Sequence, residues 1–207
     1  MDLYFITDDE VIKRNLLEIG VKEKTSLFGT QEERNFLHSF ILSRQKQDLC
    51  KGSDMFHYLM ENLLDKENTT IFIHGGFEVL GLVNFKIIAV SGEKIMTING
   101  ICVPERRERK RGTMLLTILK QLAAKLHLKK IAVFSLPEAK RFYEKNGFIE
   151  EETGTNYMIY NLSKTDKSKT TSKSKTPTKS RSKTPANIRQ NAGKRKRKST
   201  KQTRRKI

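Results

Sequence analysis

The sequence predicts an α+β domain with a mixed sheet over residues 1–163, followed by a basic tail over residues 164–207. Three observations predict it. Apolar residues recur at helical spacing through residues 8–65, whereas β-type runs separated by glycine turns fill residues 70–103. Strand-like and helix-like segments then alternate up to Leu162. Composition changes abruptly beyond that point. Residues 164–207 hold 18 Lys or Arg against one acid, Asp166, while residues 1–163 hold 23 basic and 22 acidic residues. The formal charge of +18 therefore belongs to the tail.

Leu3 to Ile6 reads as a strand. Thr7-Asp8-Asp9-Glu10 has the form of a capping box, opening a helix through Val11, Ile12, Leu16 and Ile19 that stops near Gly20. Thr30-Gln31-Glu32-Glu33 repeats that device ahead of Phe36, Leu37, Phe40 and Ile41, and Ser53-Asp54 opens a third helix through Leu59 and Leu63. Strands follow at Thr70 to His74, Glu78 to Val90 and Ile95 to Val103, with turns at Gly75-Gly76 and Ser91-Gly92. Apolar residues from Met114 to Leu126 keep helical spacing, and Lys130 to Ser135 is a short buried strand. Pro137 suits a first helical position, Ala139 to Lys145 a helix, and Asn146-Gly147 its stop. Ile149 to Glu152 and Asn156 to Leu162 close the domain as strands.

Several classes are excluded or unsupported. The N-terminus, MDLYFITDDE, is acidic and lacks a signal-peptide core. The longest apolar stretch, Val79 to Val90, is interrupted by Asn84 and Lys86 and is too short to span a bilayer, so no membrane partner is expected. Cys50 and Cys102 show no paired spacing and no metal-ligand pattern. Cys102 reads as a core residue, no metal is expected, and a reducing intracellular compartment is the simplest setting. The tail lacks aromatic residues and repeats Ser-Lys-Thr-Pro at 174–177 and 182–185. It cannot bury enough apolar surface to offset chain entropy, so disorder is expected. Its block Lys194 to Lys198 suits nuclear import or nucleic-acid contact, favouring a nuclear or DNA-associated location.

The chemistry concentrates in residues 101–148. The strand ending at Ile101, Cys102 and Val103 runs into the turn Arg107-Glu108-Arg109-Lys110-Arg111-Gly112-Thr113, which opens onto a helix. A helix N-terminus has free N–H groups and the positive end of the macrodipole, so it favours phosphate. Gly112 would let a phosphate approach the backbone, and four basic side chains add charge. The order strand, VPxxR, basic glycine turn, helix, strand, then Phe142-Tyr143-Glu144-Lys145-Asn146-Gly147-Phe148 resembles the GNAT family of acyl-CoA-dependent N-acyltransferases. The turn matches that family's pyrophosphate signature, Gln/Arg-x-x-Gly-x-Gly/Ala, as Arg107-x-x-Lys110-x-Gly112. Two positions depart from it: Lys110 replaces the first glycine, where a positive φ would be costly, and Leu136 replaces a frequent Asn.

The resemblance implies a central sheet of about six to seven strands with helices on both faces. It implies that Ile95–Val103 and Lys130–Ser135 run parallel and splay around acetyl-CoA, with a bulge at Asn99-Gly100. It implies cofactor contacts from Ile101, Cys102, Val103 and residues 107–113, and Tyr143 as general acid to the leaving thiolate. Taken as a residue, Tyr143 reads equally as an aromatic packed beside Phe142. The base is not identified: Glu78, Glu93 and Glu105 lie near strand ends, and the histidines show no informative spacing. The function expected is acetyl transfer from acetyl-CoA to a primary amine, protein lysine included, with nucleic acid held by residues 164–207. The alternative is a nucleic-acid-binding or packaging protein with an inactive GNAT-like core.

Overall fold

The protein is described by a computed structural model covering residues 2–24, 30–44, 53–76, 78–104 and 110–162. The chain divides into units Met1–Thr170 and Thr171–Ile207, and every described residue lies in the first. The tail expectations, disorder among them, fall outside the described residues.

In chain order the elements are β1 (Asp2–Ile6), α1 (Glu10–Glu18), β2 (Lys22–Glu23), α2 (Thr30–Arg44), α3 (Ser53–Leu64) and β3 (Thr69–Gly75). Then come β4 (Glu78–Val90), β5 (Glu93–Cys102), α4 (Arg111–Lys125) and β6 (Lys130–Phe134). A 3-10 turn at Pro137–Ala139, α5 (Lys140–Lys145), β7 (Ile149–Glu150) and β8 (Tyr157–Asn161) complete the domain. One mixed sheet of eight strands has the order β2-β1-β3-β4-β5-β6-β8-β7. The eighth strand is β2, which pairs parallel to β1 through Tyr4↔Lys22 and Phe5↔Glu23. Two residues are too few for alternation to reveal, so this strand was not legible in the sequence.

Period-2 alternation sends successive side chains to opposite faces, and both faces are covered. Phe5, Ile71, Ile73, Val83, Phe85, Met96 and Ile98 meet Ile12 and Leu16 of α1 and Leu115, Leu119 and Leu122 of α4. Ile6, Phe72, Val79 and Leu82 meet Leu37 and Ile41 of α2 and Leu59 and Leu63 of α3. The β4–β5 hairpin closes through Ser91 (φ 50) and Gly92 (φ 82) between paired Val90 and Glu93. Two consecutive positive φ values match the twist a two-residue hairpin requires.

Local chemistry shifts some boundaries. The cap of α1 is Asp9, whose Oδ1 accepts from Val11 N at 2.8 Å and Ile12 N at 3.0 Å. Thr7 instead bonds Thr69 through their hydroxyls at 2.8 Å, tying β1 to β3. Thr30 is already helical, and its hydroxyl donates to Asp8. Cys102 is buried as expected, but it is disulfide-bonded instead of being a free core thiol, so it offers no nucleophile. Among the described residues, no helix is long and apolar enough to cross a membrane, and no cluster of three His, Cys, Asp or Glu could hold a metal.

Candidate active site

β5 and β6 are parallel neighbours for only three residue pairs, ending at Ile98↔Val133. Beyond that point β5 continues to pair with β4 as far as Leu82↔Cys102, and β6 with β8 as far as Phe134↔Tyr157. Each strand follows its outer neighbour, and a gap opens between their C-terminal ends. A bulge on β5 starts the divergence. Asn84 faces Gly100 and Phe85 faces Ile98, which leaves Asn99 as the extra residue that bends the strand.

A polar cluster on the α2/α3 face holds the bulge. Asn99 Nδ2 donates to Asn84 Oδ1 at 2.7 Å and to Asn68 Oδ1 at 2.9 Å. Asn84 Nδ2 in turn donates to Thr70 Oγ1 at 2.9 Å and to the Asn62 carbonyl at 3.1 Å. Arg34, 0% exposed, donates from Nη1 to the Leu63 carbonyl at 3.1 Å and from Nη2 to the Asn68 carbonyl at 2.8 Å. Asp8 accepts from the same guanidinium at 3.4 Å. Burial pushes the Arg34 guanidinium down from its usual value, opposed by the Asp8 carboxylate. Gly100 lets α3 close in, since a Cβ there would lie 2.9 Å from Leu59 Cδ2. These groups come from widely separated positions with no regular spacing, so sequence inspection missed them. The one available signal was Asn84 inside an otherwise apolar strand.

At the gap lies the N-terminus of α4, which begins at Arg111, three residues before the periodic apolar run. Lys110 is its N-cap with φ −105 and ψ −10, so the positive φ feared at this position is not required. The first helical bond runs from Met114 N to the Lys110 carbonyl at 2.8 Å. The amides of Gly112 and Thr113 therefore lack helical acceptors. No acidic side chain in that turn offsets the positive end of the macrodipole.

Lys110 and Thr113 are exposed, while Arg111 is only 7% exposed and so is not a solvated arm. Gly112 has a packing role that the sequence did not announce, because a Cβ there would lie 3.0 Å from Phe142 Cζ on α5. Ile101 and Val103 are half-buried and Cys102 buried at the end of β5. Arg107, Glu108 and Arg109 lie outside the described residues. Phe134, 69% exposed, and the partly exposed Leu136 present apolar surface where β6 leaves β5.

Tyr143 sits on α5 with 5% exposure, its ring steeply inclined to Phe142 at 5.1 Å and to Phe148 at 5.5 Å. Burial pushes its phenol well above the usual tyrosine value. Glu93 is too remote to act at the gap. It pairs with Lys129 at 2.7 Å at the start of β5, about 30 Å from Cys102 at strand rise. Glu78 lies at the gap end of the sheet, since β4 runs from it to the Leu82↔Cys102 pair, and Glu105 lies outside the described residues.

Comparison with known proteins matches the sequence to a family. The model of the acetyltransferase (GNAT) family matches residues 34–148, from α2 to the last residue of the FYEKNGF segment. No curated protein sequence matches. Among solved structures, a bacterial toxin is 16% identical with a TM-score of 0.50, covering 57% of this chain and 83% of its own. Tetrahymena Gcn5 is 16% identical with a TM-score of 0.49, covering 78% of this chain and 96% of its own. AtaTR bound with AcCoA is 15% identical with a TM-score of 0.43, over 52% and 76%. At such identities the likeness concerns fold alone. With more than half of its residues matched by the family model, the chain belongs to the acetyltransferase (GNAT) family.

Proposed function

We propose that this protein transfers an acetyl group from acetyl-CoA to a primary amine, and that residues 164–207 bind nucleic acid. The observation that carries the enzymatic reading is the parting of β5 and β6 beside the uncapped N-terminus of α4. The amides of Gly112 and Thr113 in the first turn of α4 suit a pyrophosphate, and exposed Phe134 and Leu136 suit an apolar arm running through the gap. Ile101, Cys102 and Val103 line the β5 side.

Acetyl-CoA supplies the activated acetyl group. The acceptor, with an ordinary pKa of about 10, must lose a proton before its nitrogen attacks the thioester carbon. Backbone N–H groups on the β6-side edge of β5, from Asn99 to Val103, can donate to the oxygen that gains charge. The carbon–nitrogen bond forms as the carbon–sulfur bond breaks, and the sulfur leaves with the electron pair. Burial keeps the Tyr143 phenol neutral, so its proton is present throughout the working pH range. The same burial opposes full transfer to a thiolate, whose ordinary pKa is about 8.5. Tyr143 is therefore assigned a hydrogen bond to the departing sulfur, not a completed proton transfer.

The second reading, a nucleic-acid-binding protein with an inactive core, is favoured by one observation: Tyr143 packs between two phenylalanines as a core residue would. Labelled acetyl-CoA, incubated with histone-like peptides, small amines or the protein alone and followed by thiol release, separates the two. Label on an amine with equimolar CoA release supports the enzyme, whereas acetyl-CoA binding without release supports the inactive core. A nuclear location is part of the same proposal and rests on residues 194–198. The disulfide at Cys102 would be reduced there, so acetyl-CoA binding should survive dithiothreitol. Loss of binding in the reductant contradicts that location.

A further inference from the structure

α5 is six residues long, too short to hold its own direction, so its surroundings decide where Tyr143 points. At the start of α5 the Phe142 ring lies against Gly112 of α4. At its end the chain turns through Asn146 and Gly147, where Gly147 takes φ 83. The amides of Asn146 and Phe148 both donate to the Tyr143 carbonyl, at 2.9 and 3.1 Å. The stop of α5 is thus bonded to Tyr143 itself.

Lys120 of α4 reaches this stop. Its Nζ donates to the Asn146 carbonyl and lies 4.0 Å from the Tyr160 ring centroid and 5.7 Å from that of Phe148. Phe148 in turn packs on the Tyr143 ring at 5.5 Å. One ammonium therefore touches both the turn and the ring that border Tyr143. Lys120 is only partly exposed, burial pushes its ammonium down from the usual lysine value, and among the described residues no carboxylate opposes that. A half-buried cation without a counter-ion is costly, and an apolar side chain could cover the two rings without that cost. What the cation adds is a charge-assisted bond to a carbonyl at the helix end, with ring faces as its other partners. Gly112 and Lys120 are eight residues apart, about 12 Å along α4, so α5 is fastened to α4 at both of its ends.

We infer that Lys120 is a positioning residue, whose ammonium fixes the stop of α5 and through it the aim of the Tyr143 hydroxyl at the departing sulfur. The inference rests on the acetyltransferase reading and extends it to a residue outside the gap.

Lys120→Met keeps the length of the side chain and removes its charge. Thiol release from saturating acetyl-CoA, over the histone-like peptides and small amines named above, should slow about tenfold, because displacing a reacting group by about 1 Å can cost about 100-fold. Acetyl-CoA affinity, measured by titration, should stay nearly unchanged. In a Tyr143→Phe background the same substitution should slow release by less than about twofold, since residues that act as a unit are not additive. Amide exchange at Asn146 and Phe148, followed by NMR, needs no activity. It should quicken about tenfold or more in Lys120→Met relative to amides of β3 in the same protein. Tyr160→Leu removes the ring under the ammonium and should shift turnover and exchange in the same directions, and it carries the test if Lys120→Met does not fold. Equal slowing with and without the Tyr143 hydroxyl, unchanged exchange at Asn146 and Phe148, or a fall in acetyl-CoA affinity matching the fall in turnover would each overturn the inference. No thiol release by the wild type sinks the acetyltransferase reading instead, and the exchange rates then still decide whether Lys120 holds the stop of α5.

Discussion

Gly112→Ala distinguishes the two physical reasons for a glycine at the start of α4. If glycine is needed for phosphate to approach, alanine should weaken acetyl-CoA binding whatever surrounds it. If glycine is needed to seat Phe142, alanine should act on stability and be relieved by a smaller ring partner. The added carbon would lie 3.0 Å from Phe142 Cζ and 3.1 Å from Cε2, inside the 3.5–4.0 Å separation of relaxed carbons. Overpacking of this kind costs about 1–3 kcal/mol. Better helix propensity returns at most about 1 kcal/mol, so a net loss on the order of 1 kcal/mol is expected.

A double-mutant cycle with Phe142→Leu isolates the contact. Urea denaturation of the four proteins should give a favourable coupling of about 0.5–3 kcal/mol, with alanine tolerated once the ring is gone. Acetyl-CoA affinity should then be similar for Phe142→Leu alone and for the double variant. Additive stabilities would refute the packing argument. A further loss of acetyl-CoA affinity in the double variant would restore the close-approach argument.

Tyr143→Phe should lower turnover by about 10²-fold or more if its hydrogen bond to sulfur is a catalytic contribution, with acetyl-CoA affinity nearly unchanged; an unchanged chemical step leaves Tyr143 as packing. Because burial raises its folded-state pKa, stability from Tyr143 is present below about pH 10 and lost above it, by up to about 1.4 kcal/mol per pH unit. The alkaline limb of the stability curve should flatten in Tyr143→Phe, and superimposable curves contradict this. Arg34→Met should cost on the order of 3 kcal/mol in urea, because the Leu63 and Asn68 carbonyls lose buried donors; a loss below about 0.5 kcal/mol means water replaces them. A chain ended after Ser163 should bind acetyl-CoA like the full length but lose duplex DNA affinity. For the full length, log affinity against log salt should have a slope near −9 if about ten phosphates are contacted. Equal DNA affinity of the two chains would place the contact elsewhere.

Most of the fold was legible because its elements are long and one-sided. α4 repeats Leu115, Leu119 and Leu122 on one face, and β3 to β5 are divided by turns that demand positive φ at Ser91 and Gly92. Seven strands were expected where the sheet has eight, the difference being the two-residue β2. Helix starts were less legible. Thr7 and Asp9 are both good caps by residue type, and the choice fell to Asp9 because Thr7 has a hydroxyl partner across the sheet at Thr69. A tertiary contact decided what local preference left open.

The candidate site divides along the same line. Its backbone part was readable: a glycine inside a strand announced the bulge at Asn99-Gly100, and a strand–turn–helix announced the α4 amides. The side-chain part was not, because burial depends on neighbours distant in sequence. Nothing in the sequence put Phe142 against Gly112 or closed Phe142 and Phe148 around the Tyr143 ring. The same dependence explains the Asn99 cluster. An asparagine inserted into a bent strand has to find partners under α3, and Asn68 and Asn84, the latter held by Thr70, supply them without any sequence pattern. That cluster fixes the bend from behind, so the edge of β5 facing the gap is set by groups that do not touch the gap. Asn99→Leu should therefore relax the bulge and weaken acetyl-CoA binding although the Asn99 side chain is spent on Asn84 and Asn68, while Thr70→Ser, which keeps the hydroxyl, should leave binding unchanged. Tight acetyl-CoA binding by Asn99→Leu would mean that the divergence of β5 from β6 is set by their outer neighbours alone.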